Sequence, residues 1–196
     1  DYKPVRNAAG HNSPFALRVI DSQNLFSAQA VSASEAVRLR DQGLNLQQIR
    51  ERLDYLIPHV HGYLVPRDLY YMRARARHKG DRSVSLFSAA LGSALDIKPV
   101  IHSRAGQTAP TAKIKGFEPA CERLFAFARS RINAGLLTPT LCVSYGGELA
   151  ELHQLPGYAQ LQAECKNHGV ELLETVMSLT GMINVGKGAM ALAFAD

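Results

Sequence analysis

Helical and extended patterns alternate along this sequence, and their alternation constrains the fold more than any other feature. Residues 60–65 and 140–144 have the mainly apolar character of short buried strands, whereas residues 117–132 carry apolar side chains at helical spacing. Strands that alternate with helices in this way are typical of α/β chains. The sequence therefore predicts an α/β fold with a mixed sheet and helices on its faces.

The other elements are predicted from apolar spacing and from the positions of glycine and proline. Asn45 is a suitable N-cap for a helix that Pro58 ends, and this helix divides the chain into two predicted domains, residues 1–57 and 58–196. The first part would hold one strand, at residues 17–20, too little to form a sheet alone. Further predictions are helices at 24–42, 147–155 and 158–167, strands at 98–103, 107–114 and 170–177, and a short terminal helix at 187–195.

The composition is that of an ordinary globular protein, with 46% hydrophobic and 20% charged residues. No apolar run approaches the ~20 residues that span a bilayer. The first residues form no hydrophobic signal region, and the missing initiator Met suggests an incomplete start. The three cysteines are scattered and odd in number, which argues against a disulfide framework or a zinc site. These features predict a cytoplasmic protein.

The net charge of +5 suggests an acidic partner, and nucleic acid, anionic lipid and an acidic protein surface all stay open. The densest basic run lies between residues 73 and 82. No aromatic residue interleaves with its first part, and no RNA-binding motif is present. A solvated or partner-docking face is therefore the favoured interpretation, and nucleic-acid binding is the weaker one.

No complete set of catalytic groups stands out in the sequence. His59 and His61 alternate on a predicted strand, yet no third ligand occurs at a metal-binding spacing. Residues 144–147 follow a strand and precede a helix, but they match neither a phosphate-binding loop nor a nucleophile elbow. We predict a plain turn there, no metal site, no cofactor, and a protein that binds its ligand without catalysis.

A segment of small side chains follows the basic run. A tight turn at residues 79–82 precedes a predicted helix with apolar residues on one face, and a strand begins near Ile97. Within that helix, Ser85, Ala89, Gly92 and Ser93 carry little bulk. A ligand or another stretch of backbone could therefore lie close against it.

A second candidate feature lies near the end of the chain. Gly186 and Gly188 flank Lys187 ahead of the predicted terminal helix. Backbone N–H groups at such a turn can face an anion, and the helix dipole adds to the attraction. The alternative interpretation is an ordinary glycine turn with a solvated lysine.

The order of these features resembles the DegV family, whose members bind fatty acids. Residues 79–101 are similar to the family's G-G-R-I-S…L-L-x-I-K-P-I core, with Arg82 at the family arginine position. Residues 18–22 resemble the V-I-D-S strand and turn, and residues 63–72 resemble Y-F-V-L-D-T-L-x-Y-L. Residues 46–53, 113–116 and 186–194 are similar to the family's S-L-E-E-I-x-x-x-L, K-V-R-G and G-P-G-A-L-G-L-A-F segments.

The resemblance implies a DegV-like C-terminal domain after the remnant of an N-terminal α/β domain, with a long-chain fatty acid in an apolar tunnel. Some members present the carboxyl group to a separate ATP-dependent kinase. The residues implied in lipid binding are Arg82, Ser85, Ala89, Gly92, Ser93, Asn184, Gly186 and Gly188. Those implied in docking the kinase are Arg77, Lys79 and Lys115.

Two departures from the family pattern favour a different function. The upstream T-S-Q-P-S and S-G-T-Y motifs, which hold the lipid carboxylate in the family, are missing from this sequence. The family histidine before G-P-G is Asn184 here, and the proline between the glycines is Lys187. A degenerate interaction module, which keeps the fold without a lipid ligand, is therefore the alternative.

Overall fold

A mixed sheet forms the centre of the protein in a computed structural model that describes residues 3–11, 18–78 and 96–196. The strands of this sheet are β1 (Val60–Val65), β2 (Ile97–Arg104), β3 (Gln107–Lys115), β4 (Thr140–Tyr145), β5 (Glu171–Val176) and β6 (Met190–Ala195). They lie in the order β3-β2-β1-β6-β4-β5. Only β4 and β5 are parallel, and the other neighbouring pairs in this sheet are antiparallel.

The helices cover both faces of the sheet, which confirms the predicted fold class. Asn45 caps its helix as predicted, because its side chain accepts hydrogen bonds from the backbone N–H groups of Gln47 and Gln48. The helices are α1 (Lys3–Ala8), α2 (Ser27–Asp41), α3 (Leu46–Leu56), α4 (Leu69–His78), α5 (Phe117–Ala134), α6 (Leu149–His153), α7 (Tyr158–Asn167) and α8 (Leu179–Val185), with a 3₁₀ turn at Ile57–His59.

One face of the sheet packs against α5 and α7. Met190, Leu192 and Phe194 point to this face from β6, in keeping with the two-residue period of a strand. They meet Phe125 of α5 and Leu161 of α7 in a large buried cluster. Apolar burial of this kind is the main source of stability in a globular domain.

The alternate residues of β6 face the opposite side, where two smaller clusters lie. Ala193 and Ala195 pack with Val31 of α2 and with Leu53 and Leu56 of α3. Helices from before residue 57 therefore share a buried cluster with strands from after it. The predicted domain boundary at residue 57 stays a prediction.

Two predicted elements differ from the structure. The terminal segment, predicted as a helix at 187–195, is instead the central strand β6, and α8 precedes it. Residues 18–20 were predicted to lie in a strand, but they have no regular secondary structure. The other strand and helix predictions that fall within the described residues agree with the structure to within a few residues at their ends. The helix predicted after residue 82 lies outside the described residues.

A buried carboxylate joins α2 to α3. Glu35 is only 1% exposed, and its oxygens accept hydrogen bonds from Arg38 at 2.7 and 2.9 Å and from Arg52 at 3.0 Å. Arg52 also donates to the carbonyl of Leu137 at 2.7 Å. Burial alone would raise the pKa of Glu35, but these arginine hydrogen bonds outweigh it and hold the pKa below its ordinary value.

We expect Glu35→Gln to lower the free energy of unfolding by about 1–3 kcal/mol, because it removes the charge that both arginines pair with. The matched control is Arg50→Gln, which breaks an exposed ion pair with Asp54 on α3. That change should cost less than about 0.5 kcal/mol. Urea unfolding at pH 7 measures both values, and equal losses would contradict a special role for Glu35.

Candidate functional site

Three chain segments meet at one end of the sheet. Met190, the first residue of β6, is paired with Val65 at the end of β1 and with Tyr145 at the end of β4. The residues that follow β1, follow β4 and precede β6 are therefore neighbours in space. This end of the sheet holds the glycine turn, by which we mean residues 186–188.

The glycine turn follows the carboxyl end of α8 and leads into a strand, so the predicted helix N-terminus does not face it. Gly186 and Gly188 have φ angles of 89° and 76°, which glycine adopts without strain. Their backbone N–H groups donate to the carbonyls of Met182 and Gly146, each at 2.8 Å. Neither glycine N–H is available to an anion. An anion held at this turn would need a charge from a side chain.

Aromatic and amide side chains surround the first half of the glycine turn. The ring of Tyr71 lies against Gly186, where a Cβ atom would come within 3.1 Å of the ring's Cδ1. The Tyr71 hydroxyl donates to the carbonyl of Ile183 at 2.9 Å. Asn184 donates from its side-chain amide to the carbonyl of Thr180 at 2.8 Å. The Tyr71 contact joins α4 to α8, and the Asn184 hydrogen bond lies within α8.

The second half of the glycine turn lies under Arg67. A Cβ atom on Gly188 would be 2.6 Å from Cδ of Arg67, closer than real atoms approach. The Arg67 guanidinium donates to the Tyr145 hydroxyl at 3.2 Å, and its Cζ lies 4.9 Å from the centre of the Phe117 ring. Tyr145 in turn donates to Glu151 at 3.0 Å. Burial and the bond to Glu151 raise the pKa of Tyr145, so its hydroxyl stays protonated at neutral pH.

Beside the glycine turn lies a buried apolar cluster, which we call the turn-side cluster. It joins the end of β1, helix α4, helix α8 and the start of β6, and Phe26 and Met182 pack against it. Next to it, Tyr71, Leu179 and Ile183 are 41%, 71% and 41% exposed. The turn-side cluster consists of Leu64, Leu69, Met72, Ile101, Met177, Val185, Ala189 and Ala191.

Residues 2–196 match the model of the DegV family. The chain belongs to the DegV family. DegV domain-containing proteins of Xanthomonas campestris and Xanthomonas axonopodis are 68% and 67% identical to it over 195 residues. These matches cover 100% of this chain but 62% of each relative, so the chain spans less than two thirds of the relatives' length.

Solved DegV structures have a similar fold. A DegV fatty-acid-binding protein from Bacillus subtilis matches with a TM-score of 0.71 at 22% identity, covering 99% of this chain and 65% of that one. A stearic-acid-binding protein from Eubacterium ventriosum matches with a TM-score of 0.71 at 19% identity, covering 98% of this chain and 63% of that one. At these identities the likeness establishes the fold of the chain.

The structure describes three of the predicted lipid-binding residues. It brings Asn184, Gly186 and Gly188 to one end of the sheet, next to the turn-side cluster. Arg77 lies in the last turn of α4, and Lys115 is exposed at the end of β3. The predicted residues Lys79, Arg82, Ser85, Ala89, Gly92 and Ser93 lie outside the described residues.

Sequence reasoning missed Arg67 and Tyr145, which follow β1 and end β4. In the sequence, Arg67 is one of many arginines, and residues 144–147 were predicted to form a plain turn. The structure shows why that turn needs glycine: a Cβ on Gly147 would lie 2.8 Å from the Tyr145 ring. The pairing of β1 and β4 with β6, which the sequence does not give, brings these side chains together.

Histidines also meet near the other end of β1, in a cluster that the sequence did not predict. Nδ1 of His61 lies 2.9 Å from Nε2 of His102, and its Nε2 lies 3.1 Å from Asp196, which also pairs with Arg131. His59 instead contacts the carbonyl of Tyr55. Burial lowers the pKa of His61 to about 4 against the opposing effect of Asp196. Within the described ranges, no group of three or more His, Cys, Asp or Glu residues is placed to hold a metal.

Gly188→Ala tests the close contact with Arg67. The matched control is Gly169→Ala, where φ is 65° but no atom lies within 4 Å of the new Cβ. The control should cost about 1–2 kcal/mol of unfolding free energy for its positive φ alone. Gly188→Ala should cost about 1–3 kcal/mol more, because the Arg67 side chain must move. Urea unfolding of both variants, with and without Arg67→Ala, should show the excess disappear in the Arg67→Ala background.

The lowered pKa of His61 predicts that stability falls in mild acid. An unfolded histidine titrates near pH 6.5, so the unfolded chain binds this proton before the folded chain does. The free energy of unfolding should therefore decrease as pH falls from about 6.5 through about 4. Urea unfolding between pH 7 and 4.5 measures the slope. His61→Gln should make the slope shallower.

Proposed function

We propose that this chain binds a long-chain fatty acid, with the acyl chain against the turn-side cluster and the carboxylate at the glycine turn. The main support is membership of a family in which proteins of the same fold are named as fatty-acid-binding. The binding role needs no cofactor and no catalytic group of this chain. We propose a cytoplasmic location for it, and no described helix is long and apolar enough to cross a membrane.

The physical case rests on the chemistry of this end of the sheet. An acyl chain gains about 0.8 kcal/mol for each CH₂ group removed from water, so it needs an extensive apolar surface. The exposed side chains of Tyr71, Leu179 and Ile183, beside the buried turn-side cluster, offer apolar surface of this kind on α4 and α8. A carboxylate, by contrast, is costly to bury without a partner and needs polar groups at the end of the acyl chain.

We further propose that the bound acid is presented to a separate kinase, which would phosphorylate the carboxyl group. Basic side chains at Arg77, Lys79 and Lys115 would suit an acidic docking surface on that partner. The chain spans 62% of the length of its Xanthomonas relatives, so the partners of the complete protein are part of this proposal.

The second candidate is an interaction module that keeps the DegV fold without a lipid. The specific observation in its favour is that the glycine N–H groups and the Asn184 amide already have partners within the protein. An asparagine there also cannot carry a proton as the family histidine can. The two candidates differ in whether lipid accompanies the purified protein.

Lipid extraction and displacement titration distinguish these functions. We expect the purified chain to carry close to one equivalent of a C16–C18 fatty acid, detected by mass spectrometry after extraction. Palmitate should displace a fluorescent fatty-acid probe far more effectively than octanoate, since eight fewer CH₂ groups are buried. A folded chain that carries no lipid and does not bind the probe would favour the interaction module.

A further inference from the structure

The guanidinium of Arg67 lies at the end of the sheet where the proposed head group would sit. We propose that Arg67 is the specificity-determining residue that holds the ionised carboxylate of the fatty acid. This inference rests on the proposed function and names a group that the sequence analysis did not assign. The chain would thereby select acids over uncharged lipids of the same length.

The first argument is position. The Cβ, Cγ and Cδ atoms of Arg67 lie within 3.6 Å of the place that a Cβ on Gly188 would occupy. The aliphatic part of the side chain therefore lies flat on the second glycine of the turn. Its guanidinium follows Cδ by one bond, so the charge lies beside the glycine turn and near the ends of β1 and β4.

The second argument is that the guanidinium is held in place and keeps unused donors. It donates to the Tyr145 hydroxyl at 3.2 Å and lies over the Phe117 ring. A guanidinium has five N–H donors in a flat fork that matches a carboxylate. Among residues 3–11, 18–78 and 96–196, no carboxylate lies within 4 Å of the Arg67 guanidinium, and Tyr145 separates it from Glu151.

The third argument is that the other donors of the predicted head-group site already have partners within the protein. The N–H groups of Gly186 and Gly188 donate to backbone carbonyls, and the Asn184 amide donates to Thr180. Lys98, a second cation near Arg67, donates to the Arg67 carbonyl and pairs with Asp96 at 2.9 Å. Lys187 lies in the turn itself and is the competing candidate, and both Lys187 and Arg67 are exposed. Arg67 combines its contacts with Tyr145 and Phe117 with a charge that has no acidic partner among the described residues.

With arginine at the head group, the affinity for a fatty acid should depend little on pH, whereas with histidine it should depend strongly. Arginine stays protonated at every pH at which the protein is folded. Affinity for the ionised acid should therefore be nearly constant between pH 6 and 8, above the usual pKa range of carboxylic acids. A histidine at the head group would instead strengthen binding as pH falls through about 6.5.

The test compares oleate with oleyl alcohol as competitors of a fluorescent fatty-acid probe on the full chain. The variants are Arg67→Gln, Arg67→Lys, Lys187→Gln and the distant control Arg50→Gln, which loses the same charge from exposed α3. We expect Arg67→Gln to weaken oleate binding about tenfold or more, because it removes a charge-assisted pair of hydrogen bonds. The affinity of Arg67→Gln for oleyl alcohol should be unchanged, and this result would show that the apolar site is intact. Arg67→Lys should recover part of the loss, and Arg50→Gln should match the parent chain.

The outcomes separate this inference from the proposed function. A parent chain that binds neither oleate nor the alcohol overturns both. If the parent binds oleate and Arg67→Gln binds it equally well, only the assignment of Arg67 is overturned. A larger loss in Lys187→Gln than in Arg67→Gln, or an equal loss of oleate and alcohol binding in Arg67→Gln, also overturns that assignment.

Discussion

The register of β6 between β1 and β4 is the constraint on which the rest of the structure depends. All six residues of β6 are buried, and the strand pairs with a neighbour on each side. Its even-numbered side chains enter one apolar cluster, and its odd-numbered ones enter the two clusters on the opposite face. A shift of one residue would exchange these faces, placing Phe194 and Leu192 where alanines now fit.

That register also builds the candidate site. Because Val65 and Tyr145 both pair with Met190, the segments after β1, after β4 and before β6 meet at one end of the sheet. The approach is close enough that a Cβ on Gly146 would lie 3.0 Å from the backbone nitrogen of Gly188. Glycine in these two segments is therefore a packing requirement, and the polar chemistry at this end comes from the side chains of Arg67 and Tyr145.

Three other polar clusters among the described residues hold a carboxylate that has structural partners. Glu35 pairs with two arginines and thereby links α2 and α3 to the loop at Leu137. His61 is enclosed by His102 and Asp196 near the other end of β1. Glu174 accepts hydrogen bonds from Tyr158 and Gln162 beside the edge strand β5. In each of these clusters a carboxylate lies beside its donors, whereas the Arg67 guanidinium reaches a carboxylate only through Tyr145.

The sequence by itself determined the fold class, most element types and the cap at Asn45, because these depend on local spacing and on single capping residues. It did not determine whether residues 187–195 form a helix or a strand. Alanine, methionine and leucine favour helices, and a short apolar run has no period that separates a buried strand from a buried helix. Only hydrogen bonding to β1 and β4 decides that this segment is a strand. The same long-range pairing brings Arg67, Tyr145 and Gly188 together, and local sequence carries no record of contacts between residues so far apart.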